Sequence, residues 1–313
     1  MKYFLLLCIS YLYVSANAHV FVYHRFGDDR HQSTNTTLKE LEKEFKYFKD
    51  KGYKVVPMSD IVEKVKNKEQ VPDNWVAFNI DDSYKSFYKN GLPLFKKYNY
   101  PFTLFIYVEA TEKKYSDFMT WEQIKDASKY GEISLHSYGH NHLTHLSNKS
   151  IFEDTKKSYD IFVQKLGFKP KGYVYPYGEY DKRVKEVIKK FDFDYIANQS
   201  SGSITSKSDV YDLNRVALVG KVNLKAKLKY KTLDATWIEP KVFPKDGILR
   251  RVKVKVDPKI KDIKLYISAY GWQNIKVKDG IIDVKLDKKL KLSRNRVAIS
   301  PNYYTISSKL LIK

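Results

Sequence analysis

The sequence predicts an α/β barrel, or a distorted version of one, followed by a small antiparallel β-sandwich. Between residue 20 and about residue 220, short apolar runs rich in β-forming residues alternate with amphipathic helical stretches, which is typical of a parallel sheet covered by helices. After about residue 235 no helical periodicity appears, and apolar residues alternate with polar ones. The charge balance also changes: the chain has a net charge of +21, and residues 221–313 alone carry 24 Lys and Arg against 8 Asp and Glu.

The first 18 residues have the composition of a secretory signal. Lys2 precedes an apolar run over residues 3–14, and Ala16-Asn17-Ala18 is the small-x-small pattern that signal peptidase cuts. The alternative is a buried first strand. We assign residues 1–18 as a signal peptide and expect a secreted or periplasmic, envelope-associated protein. Cys8, the only cysteine, lies in this segment, so the mature chain has no disulfides and no cysteine ligands. No mature segment approaches the roughly 20 apolar residues of a membrane span.

Each β/α unit of the barrel is predicted from a local signal. Thr37 with Glu40 forms a capping box that opens the first helix, and Thr120 with Gln123 opens a later one. The predicted helices are 37–52, a segment after residue 83 through about 98, one from 120, 149–166 and 182–191. The predicted strands are 19–23, 75–80, 102–107, 133–135, 172–175 and 195–197. These six or seven β/α units suffice for a barrel, which we assign to a catalytic domain over residues 19–230.

The C-terminal part, residues 236–313, is predicted as a basic β-sandwich accessory domain. Residues 251–257 and 263–270 alternate with period two, and residues 274–287 predict a hairpin around Asp279-Gly280. Its lysines alternate with Val or Ile as solvent-facing strand residues do. The functional alternative is attraction to an anionic envelope surface. Nucleic acid is disfavoured as a partner by the export signal.

Candidate chemical groups follow the predicted strands, where the functional side chains of α/β barrels collect. Asp81 and Asp82 follow strand 75–80, and two adjacent carboxylates can divide the roles of metal ligand and proton acceptor. An isolated Asp-Asp pair is otherwise a helix N-cap followed by solvated charge. Residues 173–180 form an aromatic turn broken by Pro and Gly. Its backbone N–H groups can meet a developing oxyanion.

Four of the seven histidines lie between residues 136 and 145, directly after another predicted strand. His136 and His140 converge on one ion if the segment makes a helical turn, and imidazole with carboxylate is a ligand set that suits Zn²⁺. His142 is a candidate for a residue that contacts the metal ligands rather than the metal itself. His145 is interpreted as a surface or packing residue. Asp82, His136 and His140 together outline a metal site. With Asp81 as proton acceptor and a histidine such as His24 as proton donor, the reaction class is hydrolysis of an amide or ester.

Two of these segments resemble the motifs of a known family. Asn79-Ile80-Asp81-Asp82-Ser83-Tyr84 is similar to the Thr-Phe-Asp-Asp-Gly motif of the polysaccharide deacetylases with the NodB-homology fold, carbohydrate esterase family 4. His136-Ser137-Tyr138-Gly139-His140 is similar to that family's His-Ser/Thr-x-x-His motif, and residues 101–106 resemble the strand between the two. The resemblance covers residues 19–220 and implies a distorted (β/α) barrel of the NodB-homology type.

The resemblance also implies roles for individual residues. Asp81 is then the general base, and the backbone N–H of Tyr177 stabilises the oxyanion. The implied metal, usually zinc or another divalent transition metal, has as its ligands Asp82, His136 and His140. The implied function is removal of N-acetyl groups from N-acetylglucosamine units of an envelope or extracellular polysaccharide.

Two family features are missing from their usual places. Val174 stands where the family has the arginine that orients the base, and the late Leu-x-His motif is absent because no histidine follows His145. Tyr23-His24, together with Tyr175-Pro176-Tyr177-Gly178, resembles the poly-N-acetylglucosamine deacetylase branch, in which the acid histidine comes from the first strand. That resemblance implies that His24 is the general acid.

Three other functions stay open at this point. The same site would serve an O-acetyl esterase or a peptidoglycan deacetylase. A non-catalytic glycan-binding protein with a degenerate site is the third, and Val174 and Ser83, which replaces the family glycine, are its best evidence. In each case Tyr138, Tyr175 and Tyr177 are candidates for stacking on sugar rings.

Overall fold

The computed structural model describes residues 17–313. Its N-terminal part alternates strands and helices. The strands are β1 (His19–Tyr23), β2 (Arg25–Phe26), β3 (Asn35–Thr36), β4 (Lys54–Val55), β5 (Trp75–Ile80), β6 (Thr103–Ile106), β7 (Glu132–Leu135), β8 (Gly172–Val174), β9 (Tyr195–Ala197) and β10 (Val216–Ala217). The helices are α1 (Leu38–Asp50), α2 (Met58–Lys66), α3 (Leu92–Tyr98), α4 (Val108–Glu112), α5 (Trp121–Ala127), α6 (Asn148–Leu166), α7 (Lys182–Ile188) and α8 (Leu224–Lys227). Short 3-10 helices span Asp29–His31, Leu143–His145 and Pro176–Gly178, and a π-helical turn spans Phe87–Gly91.

One parallel sheet organises this part, in the order β10-β1-β5-β6-β7-β8-β9, with β4 paired to the beginning of β5. The pairs between neighbouring strands of this sheet are parallel, as the alternation of strands and helices predicted. The edge strands β9 and β10 are not neighbours in this order. The chain just before β10 comes back to β9 instead, where the Asn198 N–H donates to the Leu213 carbonyl at 2.8 Å. The sheet is therefore curled.

Two apolar clusters lie on the two faces of this sheet. Alternate residues of β5 belong to different clusters: Phe78 lies in the cluster that contains α1 and α3, and Ala77 lies in the cluster that contains α2. The cluster with α1 and α3 is rich in phenylalanine, and Phe45 meets Phe78 and Phe95 with ring centroids 5.2 Å and 4.8 Å apart. Each fully buried ring contributes about 1.5–3 kcal/mol through loss of water contact. This core fixes the strand ends that carry the candidate site.

The C-terminal part consists of β-strands that form two sheets. The strands are β11 (Lys231–Thr232), β12 (Thr236–Glu239), β13 (Ile248–Lys255), β14 (Asp262–Ile267), β15 (Gly271–Lys276), β16 (Ile281–Lys289), β17 (Arg294–Ser300) and β18 (Thr305–Ile312). Their orders are β11-β18-β17-β14-β15 and β12-β13-β16. All pairs are antiparallel except β11 with β18. Val254 and Ile282 of one sheet share a buried cluster with Leu265 and Val297 of the other. Two sheets on one apolar core are the predicted β-sandwich.

The predicted hairpin at residues 274–287 is wrong. A tight turn does form, because Asp279 and Gly280 both have positive φ, 50° and 73°, and residues 278 and 281 exchange backbone hydrogen bonds. The strands on either side of it pair elsewhere: β15 pairs with β14 and β16 pairs with β13. The turn therefore passes the chain from one sheet to the other, because burying the apolar face of each strand in the shared core stabilises more than pairing the two strands together.

Most of the predicted signal peptide, residues 1–16, lies outside the described residues. Its last two residues, Asn17 and Ala18, are part of the fold. Ala18 is fully buried and exchanges two backbone hydrogen bonds with Ile204, of 3.0 and 2.8 Å. Among residues 17–313, none of the helices combines the length and the apolarity that crossing a bilayer requires.

Candidate active site

Three side chains converge at the carboxyl end of the sheet. Asp82 follows β5, and His136 follows β7, four residues before His140. The Asp82 Oδ1 atom lies 3.2 Å from Nε2 of His136 and 3.1 Å from Nε2 of His140, and the two nitrogens are 3.1 Å apart. The three residues predicted as ligands are thus brought together, with one ligand atom from each facing the same point.

This cluster fits a small divalent cation. Atoms that bind a tetrahedral zinc ion at about 2.0–2.1 Å lie roughly 3.3–3.4 Å from each other, close to the separations observed here. Asp82 Oδ1 is buried and accepts no hydrogen bond of acceptable geometry among the described residues. A buried carboxylate oxygen without a donor is costly unless a cation is its partner. The donor set of one carboxylate and two imidazoles also leaves a fourth position for water.

The orientation of His136 is set by a residue on the neighbouring strand. Its Nδ1 lies 2.9 Å from the Val174 carbonyl oxygen. Because a carbonyl can only accept, Nδ1 carries the proton and Nε2 offers its lone pair to the cluster. Val174, which stands where the family has an arginine, therefore supports the site through its backbone.

The segment from His136 to His140 is a loop. The expected helical turn is wrong, because Ser137 and His140 have φ of 67° and 49° and belong to the left-handed region. Asp154 of α6 holds the loop by accepting from the N–H groups of Tyr138 and Gly139 at 3.0 and 2.8 Å. Burial raises the pKa of Asp154, although these two donors oppose the rise. The strained backbone is thus fastened from a neighbouring helix.

Asp81, the residue before Asp82, binds Arg215. Nη1 and Nη2 of Arg215 lie 2.7 and 2.9 Å from the two carboxylate oxygens, and both side chains are fully buried. Arg215 Nε donates to the Asn198 carbonyl at 2.8 Å, which fixes the plane of the guanidinium. Burial alone would raise the pKa of Asp81, but Arg215 and His136 outweigh it and hold the pKa below its usual value. Asp81 is therefore an oriented, ionised carboxylate.

His24 follows β1 beside this carboxylate. Strands β1 and β5 pair in register up to Tyr23 and Ile80, and the Asp81 N–H donates to the Tyr23 carbonyl at 2.9 Å. His24 is close enough to Asp81 to contribute to the low pKa of that carboxyl. Nδ1 of His24 is buried and has no hydrogen-bond partner within residues 17–313. The residue thus stands next to Asp81 with an uncommitted ring nitrogen.

Tyr177 lies beside the cluster, next to His140. Its backbone is left-handed, with φ 59° and ψ 6°, and Gly178 follows with φ 66°. The ring meets His140 edge to face, with centroids 4.5 Å apart, and stacks on His142 at 4.3 Å. His142 is itself held by Glu179, whose Oε2 lies 2.6 Å from Nδ1. The Tyr177 ring therefore lies between the predicted ligand His140 and its neighbour His142.

One of the three aromatic residues predicted for sugar stacking is unavailable. Tyr175 is fully buried, and its ring is stacked on Tyr180 at 4.5 Å. Strand β8 directs this side chain into the core, so it cannot contact a substrate. Tyr177 is 36% exposed and Tyr138 is half-buried, so both have ring surface facing solvent.

Ser83 adopts the conformation for which the family uses glycine. Its φ is 56°, and its hydroxyl donates to the Asp82 carbonyl at 2.5 Å. The Met119 N–H donates to the Ser83 carbonyl at 2.9 Å. A left-handed serine costs about 1–2 kcal/mol more than glycine, which these contacts help to offset. The replacement leaves both neighbouring carboxylates in place.

Sequence reasoning missed Arg215, the residue that takes the place of the absent arginine. It precedes β10, whereas functional residues are sought after strands, and the two-residue strand itself is too short to predict. Asp154 and Glu179 were missed as well, because their partners are backbone groups and a histidine that only the folded loops bring close.

Among the described residues, one other group has the composition of a metal site, namely Asp28, His31 and Asp117. Two arginines already occupy it. Arg25 binds Asp28 at 2.7 Å, and Arg30 lies 2.8 Å from Asp28 and 3.0 Å from Asp117. The carboxylates are thus neutralised by guanidinium groups, and the group is an ion-pair network.

Comparison with known proteins agrees with this geometry. Residues 68–196 match the family model described as polysaccharide deacetylase. A putative polysaccharide deacetylase, YxkH of Bacillus subtilis, is 25% identical over 202 residues, which are 63% of this chain and 70% of that protein. A Staphylococcus aureus protein named poly-beta-1,6-N-acetyl-D-glucosamine N-deacetylase is 24% identical over 211 residues, 63% of this chain and 72% of that one.

A solved structure of the deacetylase PplD of Streptococcus pyogenes in complex with acetate has the same fold. It superposes with a TM-score of 0.61 at 19% identity and covers 66% of this chain and 93% of that one. This confirms the predicted fold class, the curled parallel α/β sheet of the NodB type. The matched residues include both predicted metal motifs. Residues 68–196 of this chain therefore match a polysaccharide deacetylase domain, and the fold is of the NodB type.

Proposed function

We propose that this protein is an exported, metal-dependent N-deacetylase that removes acetyl groups from N-acetylglucosamine units of an envelope or extracellular polysaccharide. The observation that carries the proposal is the cluster of Asp82, His136 and His140 next to an Asp81 carboxylate held by a buried arginine. A glycan-binding module has no need of a metal cluster beside an ionised, oriented base. The name of the Staphylococcus aureus relative supports the choice of polymer.

The roles of the metal ligands follow from the donor set. Asp82, His136 and His140 would hold zinc or another divalent transition metal. When bound, such an ion supplies Lewis acidity, which lowers the pKa of a water molecule to about 7 and polarises a carbonyl. The Val174 carbonyl and Asp154 keep the two histidines in the orientation that this needs.

The remaining residues move protons and stabilise charge. Asp81 accepts the proton of the attacking water, and Arg215 keeps that carboxylate ionised and aimed. His24 donates a proton to the departing amine, so one proton is taken up and one is given back in each turnover. The Tyr177 N–H donates to the oxygen of the acetamide as its negative charge develops. The products are acetate and a free amine on the sugar.

Export and surface attraction are part of the same proposal. The predicted signal at residues 1–18 would deliver the protein to the envelope. Lys255, Lys276 and Lys285 of the C-terminal sheets are exposed, as their alternation with apolar residues predicted, and they give this part an excess of positive charge. We infer that this surface attracts anionic envelope polymers. The attraction should weaken with salt within the range where the Debye length falls below about 10 Å.

The test is acetate release from N-acetylglucosamine oligomers by the purified protein, with chelator and with added Zn²⁺. Asp82→Ala removes one ligand, and Asp192→Ala is the matched control, because Asp192 is exposed and forms an ion pair with Lys169, which is also exposed. We expect release that needs both the metal and Asp82, with the control at the rate of the unaltered protein.

Three other results would overturn parts of the proposal. Release from O-acetylated sugars alone would make the protein an esterase, and release from peptidoglycan alone would change the polymer. A folded protein that binds glycan but no metal would be a binding protein with a degenerate site. Binding to an anionic polymer that is unaffected by salt would contradict the surface attraction.

A further inference from the structure

The C-terminal sheets contact the candidate active site directly. Arg294, at the start of β17, extends to the loop after β8. Its Nε lies 2.9 Å from Oε1 of Glu179, and its Nη2 donates to the Tyr177 carbonyl at 2.6 Å. This connects the β-sandwich to the loop after β8, whose Tyr177 ring contacts the predicted ligand His140.

Arg294 neutralises a carboxylate whose other oxygen is held by a single histidine ring. The Glu179 side chain is fully buried, and its other oxygen lies 2.6 Å from Nδ1 of His142. A buried carboxylate is strongly destabilising without a charged or hydrogen-bonding partner. The guanidinium is planar with several N–H donors, so it spans Glu179 and the Tyr177 carbonyl at once. One side chain therefore fastens two points of the same loop.

A second contact lies at the same corner of the sandwich. Nε2 of His145 is 2.8 Å from the Lys313 carbonyl oxygen, and the Lys313 N–H donates to the Ser293 carbonyl, next to Arg294. The rings of His142 and His145 are 5.4 Å apart. The sandwich thus contacts both His145 and the loop after β8 that contains Tyr177.

We infer that Arg294 is a positioning residue for deacetylation: by binding the Tyr177 carbonyl and Glu179 it fixes the backbone of Tyr177 in the conformation that directs the Tyr177 N–H at the developing oxyanion. The inference rests on the proposed function. Tyr177 has a left-handed backbone, which is unfavourable for a residue with a Cβ atom and is kept only where other contacts hold it. The C-terminal sheets then complete the active site in addition to any role in surface attraction.

The kinetic test compares Arg294→Met with Arg251→Met. Arg251 is the matched control, because it lies in the same sandwich, forms a two-point ion pair with Asp283 and is 37% exposed against 45% for Arg294. Removing an oxyanion donor costs about 10²–10³ in kcat, so a displaced donor should cost at least about tenfold. We expect that loss in kcat for Arg294→Met, with KM within about twofold. Arg294→Lys should recover part of it, and Arg251→Met should show no loss.

A second readout does not depend on activity. In the metal-free protein, amide hydrogen exchange of residues 175–180 should be faster in Arg294→Met than in Arg251→Met, with the rest of the barrel unchanged. Equal exchange in the two variants would overturn the inference. Faster exchange with an unchanged kcat would also overturn it, because the loop would then be held but not for catalysis. If the unaltered protein releases no acetate, the proposed function fails, and the exchange rates still decide whether Arg294 holds the loop.

Discussion

The buried pair of Asp81 and Arg215 should behave as one energetic unit. Arg215→Met removes the guanidinium and keeps the apolar part of the side chain, which leaves the Asp81 carboxylate buried without a charged partner. Asp81→Asn removes the carboxylate charge and leaves the Arg215 guanidinium buried without its anionic partner. We expect each single substitution to destabilise the protein and the double substitution to cost much less than their sum.

The magnitude follows from the geometry. Both side chains are fully buried, and both oxygens are bound at 2.7 and 2.9 Å. Two unit charges about 4 Å apart attract by roughly 4 kcal/mol at an effective dielectric constant of 20. Breaking a buried pair from one side costs about 3–5 kcal/mol. We therefore expect a coupling free energy of about 3 kcal/mol between the two sites.

The assay is urea unfolding of the four proteins in chelator, so that metal binding does not contribute to the free energy of unfolding. The Arg251 and Asp283 pair has the same two-point contact on an exposed surface, and its own cycle should give no more than about 1 kcal/mol. Additivity of the Asp81 and Arg215 substitutions within about 0.5 kcal/mol would refute the reasoning. It would mean that other groups already stabilise the Asp81 charge.

Two other predictions concern buried carboxyls. Burial raises the pKa of Glu44 to about 7, against the opposing hydrogen bond from the Tyr23 hydroxyl at 2.8 Å. Since the folded pKa lies above the ordinary value of a glutamate carboxyl, the stability that Glu44 contributes at low pH is lost as the pH rises through about 7. The free energy of unfolding of Glu44→Gln, measured in urea, should therefore rise by about 2–3 kcal/mol relative to that of the unaltered protein as the pH goes from 5 to 8. A difference between the two proteins that does not change with pH would contradict this. Asp154→Ala frees the N–H groups of Tyr138 and Gly139, so Zn²⁺ affinity in a competition titration should fall about 10–100-fold; an unchanged affinity would show that the loop holds itself.

The convergence of the three predicted ligand residues could be predicted because each position follows from a pattern that is local in the sequence. Asp82, His136 and His140 all follow apolar runs that could be recognised as strands, and the carboxyl ends of parallel strands meet at one edge. The residue types then indicate the chemistry, because one carboxylate and two imidazoles suit a divalent cation. Their roles in catalysis stay predictions until the acetate assay is done, but their convergence needed only strand positions and parallel order.

The residues that support the cluster were not predictable in this way. Arg215 contacts Asp81 across 134 residues and precedes a strand of only two residues. The left-handed backbone of Ser137 leaves no composition signal, because serine adopts it only where other contacts hold it there. The turn at Asp279-Gly280 has a hairpin sequence and a tight-turn geometry, yet pairing across the sandwich decides where its strands go.

The order of strands in the larger C-terminal sheet has a consequence for how the protein is made. Strand β18 lies between β11 and β17, so β11 has no partner in its sheet until residues 305–312 have been synthesised. Domains form N-terminal first during synthesis, and the barrel is complete by then. The corner that carries Arg294 forms only once residue 313 has been made, since the Lys313 N–H donates to the Ser293 carbonyl beside it. A growing chain that has not reached β18 would hold Asp82, His136 and His140 without the sheet that supports the loop of Tyr177, so under the proposed function deacetylation would reach its full rate only after β18 has been made.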